Sequence, residues 1–208
     1  MRILALILLL AAAPAVAGEV PTHATDICPL LPGELIPEGM TAWTASGDEV
    51  DLTALLSGPT ILIVYRGGWC PYCNVHMSEI QSIEQELTEL GYRIVALSPS
   101  QPSKAAEMQE KLTSSSIQVL SDGSMAACRA LGLAFEIDAE TIERYRGYEI
   151  DLEADSGHDH HQLPVPAAFV INESAVRFVY ANPNYKLRVD GSVLLAAARA
   201  ARAHESGR

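Results

Sequence analysis

Residues 65–74 read YRGGWCPYCN and separate an apolar run, residues 60–65, from a helical pattern that begins at Pro71. The apolar run, TILIVY, is rich in β-branched residues and predicts a strand buried on both faces. Apolar residues then recur at helical spacing, and a proline in the first turn of a helix is well tolerated. Cys70 and Cys73 are therefore predicted to lie where a buried strand passes into a long helix.

This placement gives the two cysteines a chemical role. A helix N-terminus offers free N–H groups and the positive end of the helix dipole, and both lower the pKa of a thiol at that position. A thiolate on Cys70 can attack a disulfide, and Cys73 can resolve the mixed disulfide. The alternatives are a static structural disulfide or half of a zinc site. A four-ligand zinc site would need a second close ligand pair.

Several residues near the cysteines are candidates for supporting roles. Trp69 and Tyr72 border the pair and either form an apolar rim for a substrate chain or simply pack. His76 lies one helical turn beyond the second cysteine, and we expect it to be solvent-exposed. Arg66 and Arg188 could activate a thiolate, although a generic surface arginine is the preferred interpretation of both.

Farther from the cysteines, strand patterns alternate with helix patterns, which implies parallel strands joined by right-handed crossovers. Residues 18–40 are predicted to be an extended lead-in, and residues 41–208 a single domain with a polar inserted helix and loop near 134–164. The predicted elements of the domain are a hairpin and helical turn over 42–58, strands at 60–65, 92–97 and 117–120, helices at 71–90, 103–112 and 124–131, a strand pair at 167–171 and 176–180, and a helix at 191–203.

The N-terminus has the features of a secretory signal peptide. Met1-Arg2 precedes an apolar run from Ile3 to Ala13, and Ala15 and Ala17 form an A-x-A cleavage site. The run is too short to serve as a permanent membrane span. We expect residues 1–17 to be removed and the remaining chain to be exported, to a periplasm, without a stable membrane anchor.

Charge and the remaining motifs narrow the possible partners. The formal net charge of −12 argues against binding to nucleic acid.

Cys28 and Cys128 could form a structural disulfide in an oxidising compartment, could act as resolving residues, or could be buried free thiols. The bridge is the preferred option, since closing a loop of about 100 residues contributes roughly 4–5 kcal/mol. The tract from His158 to His161 can bind a metal but has no ordered partner ligands, so we predict neither metal nor cofactor.

A resemblance to a known family adds to this interpretation. YRGGWCPYCN at 65–74, followed by a helix and then by VPAAFVIN at 165–172, resembles the thioredoxin superfamily. Within it, the match is to the peroxiredoxin-like branch, related to alkyl hydroperoxide reductase and thiol-specific antioxidant, that carries a C-x-x-C. The resemblance covers most of the chain from about residue 28 to the C-terminal helix. It implies an α/β, thioredoxin-like fold with a central mixed β-sheet flanked by helices.

The resemblance also implies roles for individual residues. The Val165-Pro166 bond would be cis, although trans is the default for a sequence alone, and Pro166 would pack beside the cysteine pair. In the thioredoxin manner Cys70 would be the exposed nucleophile, whereas in the peroxiredoxin-like branch Cys73 corresponds to the peroxidatic position. Both assignments stay open. The residues expected to contact substrate are Trp69, Pro71, Tyr72, Val165 and Pro166.

One departure from the family pattern decides the preferred function. Typical peroxiredoxins have Thr or Ser three residues before the peroxidatic cysteine, but here Cys70 precedes Cys73 by three and Gly67 precedes Cys70 by three. We therefore predict a thiol–disulfide oxidoreductase that cycles Cys70 and Cys73 between dithiol and disulfide, with protein or small-molecule thiols as partners. The alternative is an antioxidant thiol peroxidase that reduces hydroperoxides. A third possibility is a non-enzymatic metal-binding or interaction module with a static disulfide.

Overall fold

The structure is a computed structural model that describes residues 19–112 and 115–206. The predicted signal peptide, residues 1–17, lies outside the described residues. Within the described ranges, no helix is both long enough and apolar enough to cross a membrane.

The described chain alternates strands and helices, as the sequence pattern predicts. The strands are β1 (Thr41–Thr44), β2 (Glu49–Asp51), β3 (Thr60–Val64), β4 (Arg93–Ser98), β5 (Gln118–Ser121), β6 (Ala134–Glu136), β7 (Gln162–Pro164), β8 (Ala167–Asn172) and β9 (Ala175–Ala181). The helices are α1 (Leu52–Leu55), α2 (Pro71–Glu89), α3 (Pro102–Lys111), α4 (Ala126–Ala130), α5 (Ala139–Arg146), α6 (Leu152–Ser156) and α7 (Gly191–Ser206).

Seven of these strands form a mixed sheet in the order β2-β1-β5-β4-β3-β8-β9. The three central strands, β3, β4 and β5, pair in parallel, because α2 and α3 cross back over the sheet between them. The hairpins β1–β2 and β8–β9 add antiparallel strands on either side. The predicted α/β fold, a central mixed sheet flanked by helices, is confirmed.

Apolar side chains cover both faces of the sheet. One core cluster includes side chains of α2, α3 and α7, and it contains Cys70 and Cys73. The second lies under α1 and α4 and contains Cys128. All five residues of β3 are buried, as expected for a strand that faces both clusters. Each fully buried Leu, Ile or Val contributes about 1.5–3 kcal/mol relative to exposure, so burial on both faces fixes β3 firmly.

The position of Pro166 follows from the pairing of β8 with β3. Val64, the last residue of β3, pairs with Ala167, so Pro166 lies at the edge where β3 ends and the cysteine loop begins. Every peptide bond within the described ranges is trans, so the expected cis bond at Val165-Pro166 is wrong. Val165 instead donates its N–H to the Leu133 carbonyl at 2.9 Å, which continues the pairing of β7 with β6.

The inserted segment contains more structure than the predicted helix and loop. Its two ends, β6 and β7, pair as a separate antiparallel ribbon. The sequence analysis missed this ribbon because each strand has only three residues. Between them lie α5 and α6. Asp155 of α6 fixes the segment to the loop after β4, because its carboxylate accepts from Ser100 Oγ at 2.8 Å and its carbonyl accepts from the Gln101 N–H at 2.8 Å.

Candidate active site

The structure places Cys70 at the N-cap of α2 and Cys73 in the first turn. The Cys70 carbonyl accepts hydrogen bonds from the N–H groups of Cys73 at 3.0 Å and of Asn74 at 3.1 Å. Both cysteines are buried: Cys70 is 1% exposed and Cys73 is 0% exposed. The expectation of an exposed Cys70 nucleophile is therefore wrong for this state. The two thiols instead face each other in a closed site.

The two thiols titrate as a pair, because each contributes to the other's pKa. The hydrogen bond from the Cys73 thiol, together with the Cys73 N–H, lowers the pKa of Cys70 to about 6. The same hydrogen bond and burial raise the pKa of Cys73, since a second anion would lie beside the first. The two shifts make Cys70 the more acidic thiol of the pair and oppose ionisation of both thiols at once.

Arg188, from the loop between β9 and α7, reaches the cysteine pair. Its Nη2 donates to Cys73 Sγ at 3.3 Å, and its charge also lowers the pKa of Cys70. The backbone N–H of Arg66 donates to the same sulfur and acts against the raised pKa of Cys73. The preferred interpretation of Arg66 and Arg188 as generic surface arginines is therefore wrong, and their alternative role beside the thiols is the one that the structure supports.

The Arg66 side chain is 4% exposed and lies among aromatic rings. Its guanidinium carbon is 5.3 Å from the ring centroid of Trp69, 5.4 Å from that of Tyr145 and 4.3 Å from that of Tyr185. Its Nη2 also donates to the hydroxyl of Tyr145. Tyr72, predicted to border the cysteines, packs edge-on against Tyr185 with the ring centroids 5.8 Å apart. We call Arg66 with Trp69, Tyr145 and Tyr185 the aromatic cage.

Tyr145 and Tyr185 are site residues that the sequence analysis missed. Tyr145 lies on the inserted helix α5, and Tyr185 follows β9. The only signal in the sequence was an aromatic residue in each of two irregular polar segments, and such residues are common in loops.

Gly67 makes room for Trp69 within the loop. Gly67 has φ +145°, and a Cβ there would lie 2.4 Å from the indole nitrogen of Trp69. Asn74 Nδ2 donates to the Gly68 carbonyl at 3.1 Å and ties the same loop to α2. The Arg-Gly-Gly-Trp segment is thereby held against the helix that carries the cysteines.

His76 is buried, which corrects the expectation of a solvent-exposed residue. It is 3% exposed, and its Nε2 has no hydrogen-bond partner among the described residues. Burial, with a smaller contribution from the charge of Arg188, lowers the pKa of His76 to about 4. His76 is therefore neutral at physiological pH and adds no charge to the site.

The predicted substrate-contacting residues divide into two groups. Pro71 and Tyr72 are exposed at the start of α2, and Trp69 is half-buried. Val165 and Pro166 are buried at the edge where β3 ends. A cleft of about 310 Å³ lies beside Trp69, between α3 and the inserted segment, with Met108 and Ile150 in its walls.

The predicted bridge between Cys28 and Cys128 is not formed in the structure, where both residues are free thiols. Cys28 is exposed, whereas Cys128 is buried in the second core cluster and its N–H donates to Asp122 at 2.7 Å. The lead-in does reach α4, since the Cys28 carbonyl packs against Gly132. The Cys128 side chain, however, is packed within the second core cluster, whereas Cys28 is exposed.

The histidine tract makes protein contacts. His160 Nε2 lies 2.9 Å from the Gly123 carbonyl oxygen, and His161 Nε2 lies 2.6 Å from Glu153 Oε1. Among the residues that the structure describes, no group of three or more His, Cys, Asp or Glu side chains is arranged to hold a metal ion.

Comparisons with known proteins identify the family and agree with the fold. The AhpC/TSA family model matches residues 32–179. Peroxidoxin BcpB from Mycobacterium tuberculosis superposes with a TM-score of 0.63 at 18% identity, over 82% of this chain and 97% of that one. Reduced Prx3 from Vibrio vulnificus in complex with H2O2 superposes with a TM-score of 0.66 at 16% identity, over 82% of this chain and 96% of that one. Peroxiredoxin Q from Xanthomonas campestris superposes with a TM-score of 0.61 at 17% identity, over 85% of this chain and 99% of that one. No curated protein sequence matches the chain.

Proposed function

Because this chain belongs to the AhpC/TSA family and is therefore an enzyme of thiol chemistry, we propose that it is a peroxiredoxin-like thiol peroxidase. Cys70 and Cys73 are the proposed redox pair. The family and the hydrogen-peroxide complex of the Vibrio vulnificus neighbour support a hydroperoxide as the oxidising substrate.

The observation that carries the proposal is the burial of the Cys70–Cys73 pair with the Arg188 guanidinium 3.3 Å from Cys73 Sγ. The pKa of Cys70 lies at about 6, yet Cys70 is 1% exposed and Cys73 is 0% exposed. A protein disulfide cannot approach a sulfur atom in this state, whereas a molecule of the size of hydrogen peroxide needs only a small opening. The closed site therefore favours a small oxidant over a large one.

The chemistry balances with two electrons from the pair. The Cys70 thiolate attacks the terminal peroxide oxygen, so an S–O bond forms and the O–O bond breaks, leaving a sulfenic acid and an alkoxide or hydroxide. The leaving oxygen takes a proton from solvent, which replaces the one that Cys70 released. The positive charges of Arg66 and Arg188 stabilise the thiolate and the charge that develops on the leaving oxygen.

Cys73 completes the step as the resolving residue. Once Cys70 is a neutral sulfenic acid, the neighbouring anion that raised the pKa of Cys73 is gone, while Arg188 still lies 3.3 Å from its sulfur. The Cys73 sulfur then attacks the Cys70 sulfur, an S–S bond forms, the S–O bond breaks, and hydroxide leaves with the Cys73 proton as water. A dithiol reductant restores the pair by disulfide exchange.

A stopped-flow experiment tests the proposal. The reduced protein, with Trp43 replaced by Phe so that Trp69 is the reporter, is mixed with hydrogen peroxide and separately with a peptide disulfide. We expect the fluorescence change to be at least ten times faster with peroxide at equal concentration. Reaction with peroxide at the rate of an ordinary exposed thiolate, together with rapid reaction with the peptide, would refute the peroxidase proposal.

That outcome would support thiol–disulfide exchange, the second candidate function, and would mean that the site opens to admit the peptide. The supporting observation is the C-x-x-C itself, at the N-cap of a long helix with a lowered pKa on its first cysteine.

We also propose that the protein is exported, on the basis of the N-terminal sequence. N-terminal sequencing of the mature protein after cell fractionation tests this: cleavage after Ala17 supports export, and an intact Met1 in the cytoplasmic fraction contradicts it.

A further inference from the structure

The aromatic cage suggests a specific role for a residue outside the C-x-x-C motif. We propose that Tyr145, on the inserted helix α5, is a positioning residue that holds the guanidinium of Arg66 beside the cysteine pair. In this position Arg66 favours the thiolate form of the pair. The inference rests on the proposed function only in taking Cys70 and Cys73 as the reactive centre.

The first argument is the way in which the Arg66 charge is accommodated. A buried guanidinium needs polar partners, and most buried arginines find a carboxylate. No carboxylate of the described residues forms a salt bridge with Arg66. Its partners are instead the Tyr145 hydroxyl and three aromatic rings. Ring faces and a neutral hydroxyl stabilise a cation without cancelling its charge, so the charge still acts on Cys70.

The second argument is the position of the Tyr145 ring. No residue of α5 is fully buried, and Tyr145 itself is half-buried. The neighbouring arginines of the helix pair with glutamates of the same helix, Arg144 with Glu140 and Arg146 with Glu143. A Tyr145 ring that served only to anchor the helix could pack on any apolar surface, but here it packs 5.6 Å from Trp69 and its hydroxyl accepts from Arg66.

Other charged and titratable groups also surround the pair, so the test must separate their effects from that of Arg66. These groups are Arg188 at Cys73, Tyr65 facing Cys73, Asp155 near Tyr65, and His76 near Arg188. Within the described ranges Tyr145 forms no hydrogen bond or ring contact with any of these four groups, and its hydroxyl accepts a hydrogen bond from Arg66. Tyr145→Phe keeps the ring against Trp69, so a change in thiol titration in that variant reports on the hydrogen bond to Arg66.

The experiment follows alkylation of the reduced protein by iodoacetamide as a function of pH, in a Cys28→Ser background that removes the exposed thiol. The midpoint of the rate profile reports the pKa of the pair, and the plateau at high pH reports access to the sulfur. The variants are Tyr145→Phe, which keeps the ring, and Tyr145→Ala, which removes it. Tyr148→Phe is the matched control, because Tyr148 lies on the same segment and is 68% exposed.

We expect Tyr145→Ala to raise the midpoint by about one pH unit, by the size of effect that loss of a nearby opposite charge produces. Tyr145→Phe should raise it by less, and Tyr148→Phe should match the parent protein. A Tyr145→Ala profile with an unchanged midpoint overturns the proposal, and a change in the plateau alone means that Tyr145 only covers the site. If circular dichroism shows that Tyr145→Ala is unfolded, Tyr145→Phe and Arg66→Met decide the question, and an unchanged midpoint in both overturns it.

The assay contains no peroxide, so its outcome does not depend on peroxidase activity. A raised midpoint together with slow peroxide reduction would support the positioning role while contradicting the proposed function. An unchanged midpoint together with fast peroxide reduction would do the reverse.

Discussion

Replacement of His76 by Leu tests whether the buried imidazole makes the stability of the protein depend on pH. The ordinary pKa of histidine, 6.5, falls to about 4 in the folded protein. Between these values the unfolded chain binds a proton that the folded protein does not, so stability decreases as the pH falls. At roughly 1.4 kcal/mol per unit of pKa shift, the full effect on the free energy of unfolding is about 3 kcal/mol. About 2 kcal/mol of this is lost between pH 7 and pH 5.

A second buried group acts in the opposite direction and must be separated. Burial raises the pKa of Asp122 from 3.8 to about 6. The folded protein therefore binds the additional proton between those values, and this contribution to stability increases as the pH falls. The two effects partly cancel in the parent protein, so its own pH profile is a poor test. The difference between the His76→Leu variant and the parent removes the Asp122 contribution.

The assay is urea unfolding of the reduced proteins at several pH values from 7 to 4.5, followed by circular dichroism. We expect the free energy of unfolding of His76→Leu, relative to that of the parent protein, to rise by about 2 kcal/mol as the pH falls from 7 to 5. At pH 7 the leucine should be tolerated, since His76 Nε2 has no hydrogen-bond partner to lose among the described residues. His23→Gln is the control at an exposed histidine. Parallel stability profiles for His76→Leu and the parent would refute the reasoning.

Three further predictions follow from the site and its surroundings. After treatment with peroxide, the Cys73→Ser variant should accumulate a sulfenic acid on Cys70, detected by mass spectrometry after dimedone trapping. If a sulfenic acid forms readily in Cys70→Ser but not in Cys73→Ser, then Cys73 attacks the peroxide and Cys70 is the resolving residue. Gly67→Ala should lower the free energy of unfolding by about 1–3 kcal/mol, because its Cβ would collide with the adjacent indole, whereas Gly58→Ala, with open space around it, should change it little. The native protein should show one rapidly reacting thiol, Cys28, with a disulfide reagent, and a protein with no fast thiol would instead support the bridge.

Much of the fold could be predicted from local sequence. The apolar run of β3 and the helical spacing of α2 predicted the strand-to-helix junction, and with it the place of Cys70 and Cys73. The parallel arrangement of the three central strands followed from the alternation of elements. Short elements were the exception, because β6 and β7 are three residues each and too short for a periodic pattern.

The environment of the cysteines could not be predicted in the same way. Arg188 reaches Cys73 from 115 positions away, and Tyr145 reaches Arg66 from 79 positions away. The residues next to an arginine in the sequence do not show whether its side chain lies on the surface or is covered by a distant loop. For the same reason His76, an ordinary polar residue on a helix, gave no sign of its burial.

The sequence by itself determined the alternating α/β architecture and the pair of cysteines at a helix start, because both depend on periodicity and spacing along the chain. Only the tertiary structure decided that the pair is buried, that Arg66 and Arg188 accompany it, that Val165-Pro166 is trans, and that Cys28 and Cys128 are unpaired. These features depend on which distant segments pack together, and packing is set by the summed burial of many side chains rather than by any one motif.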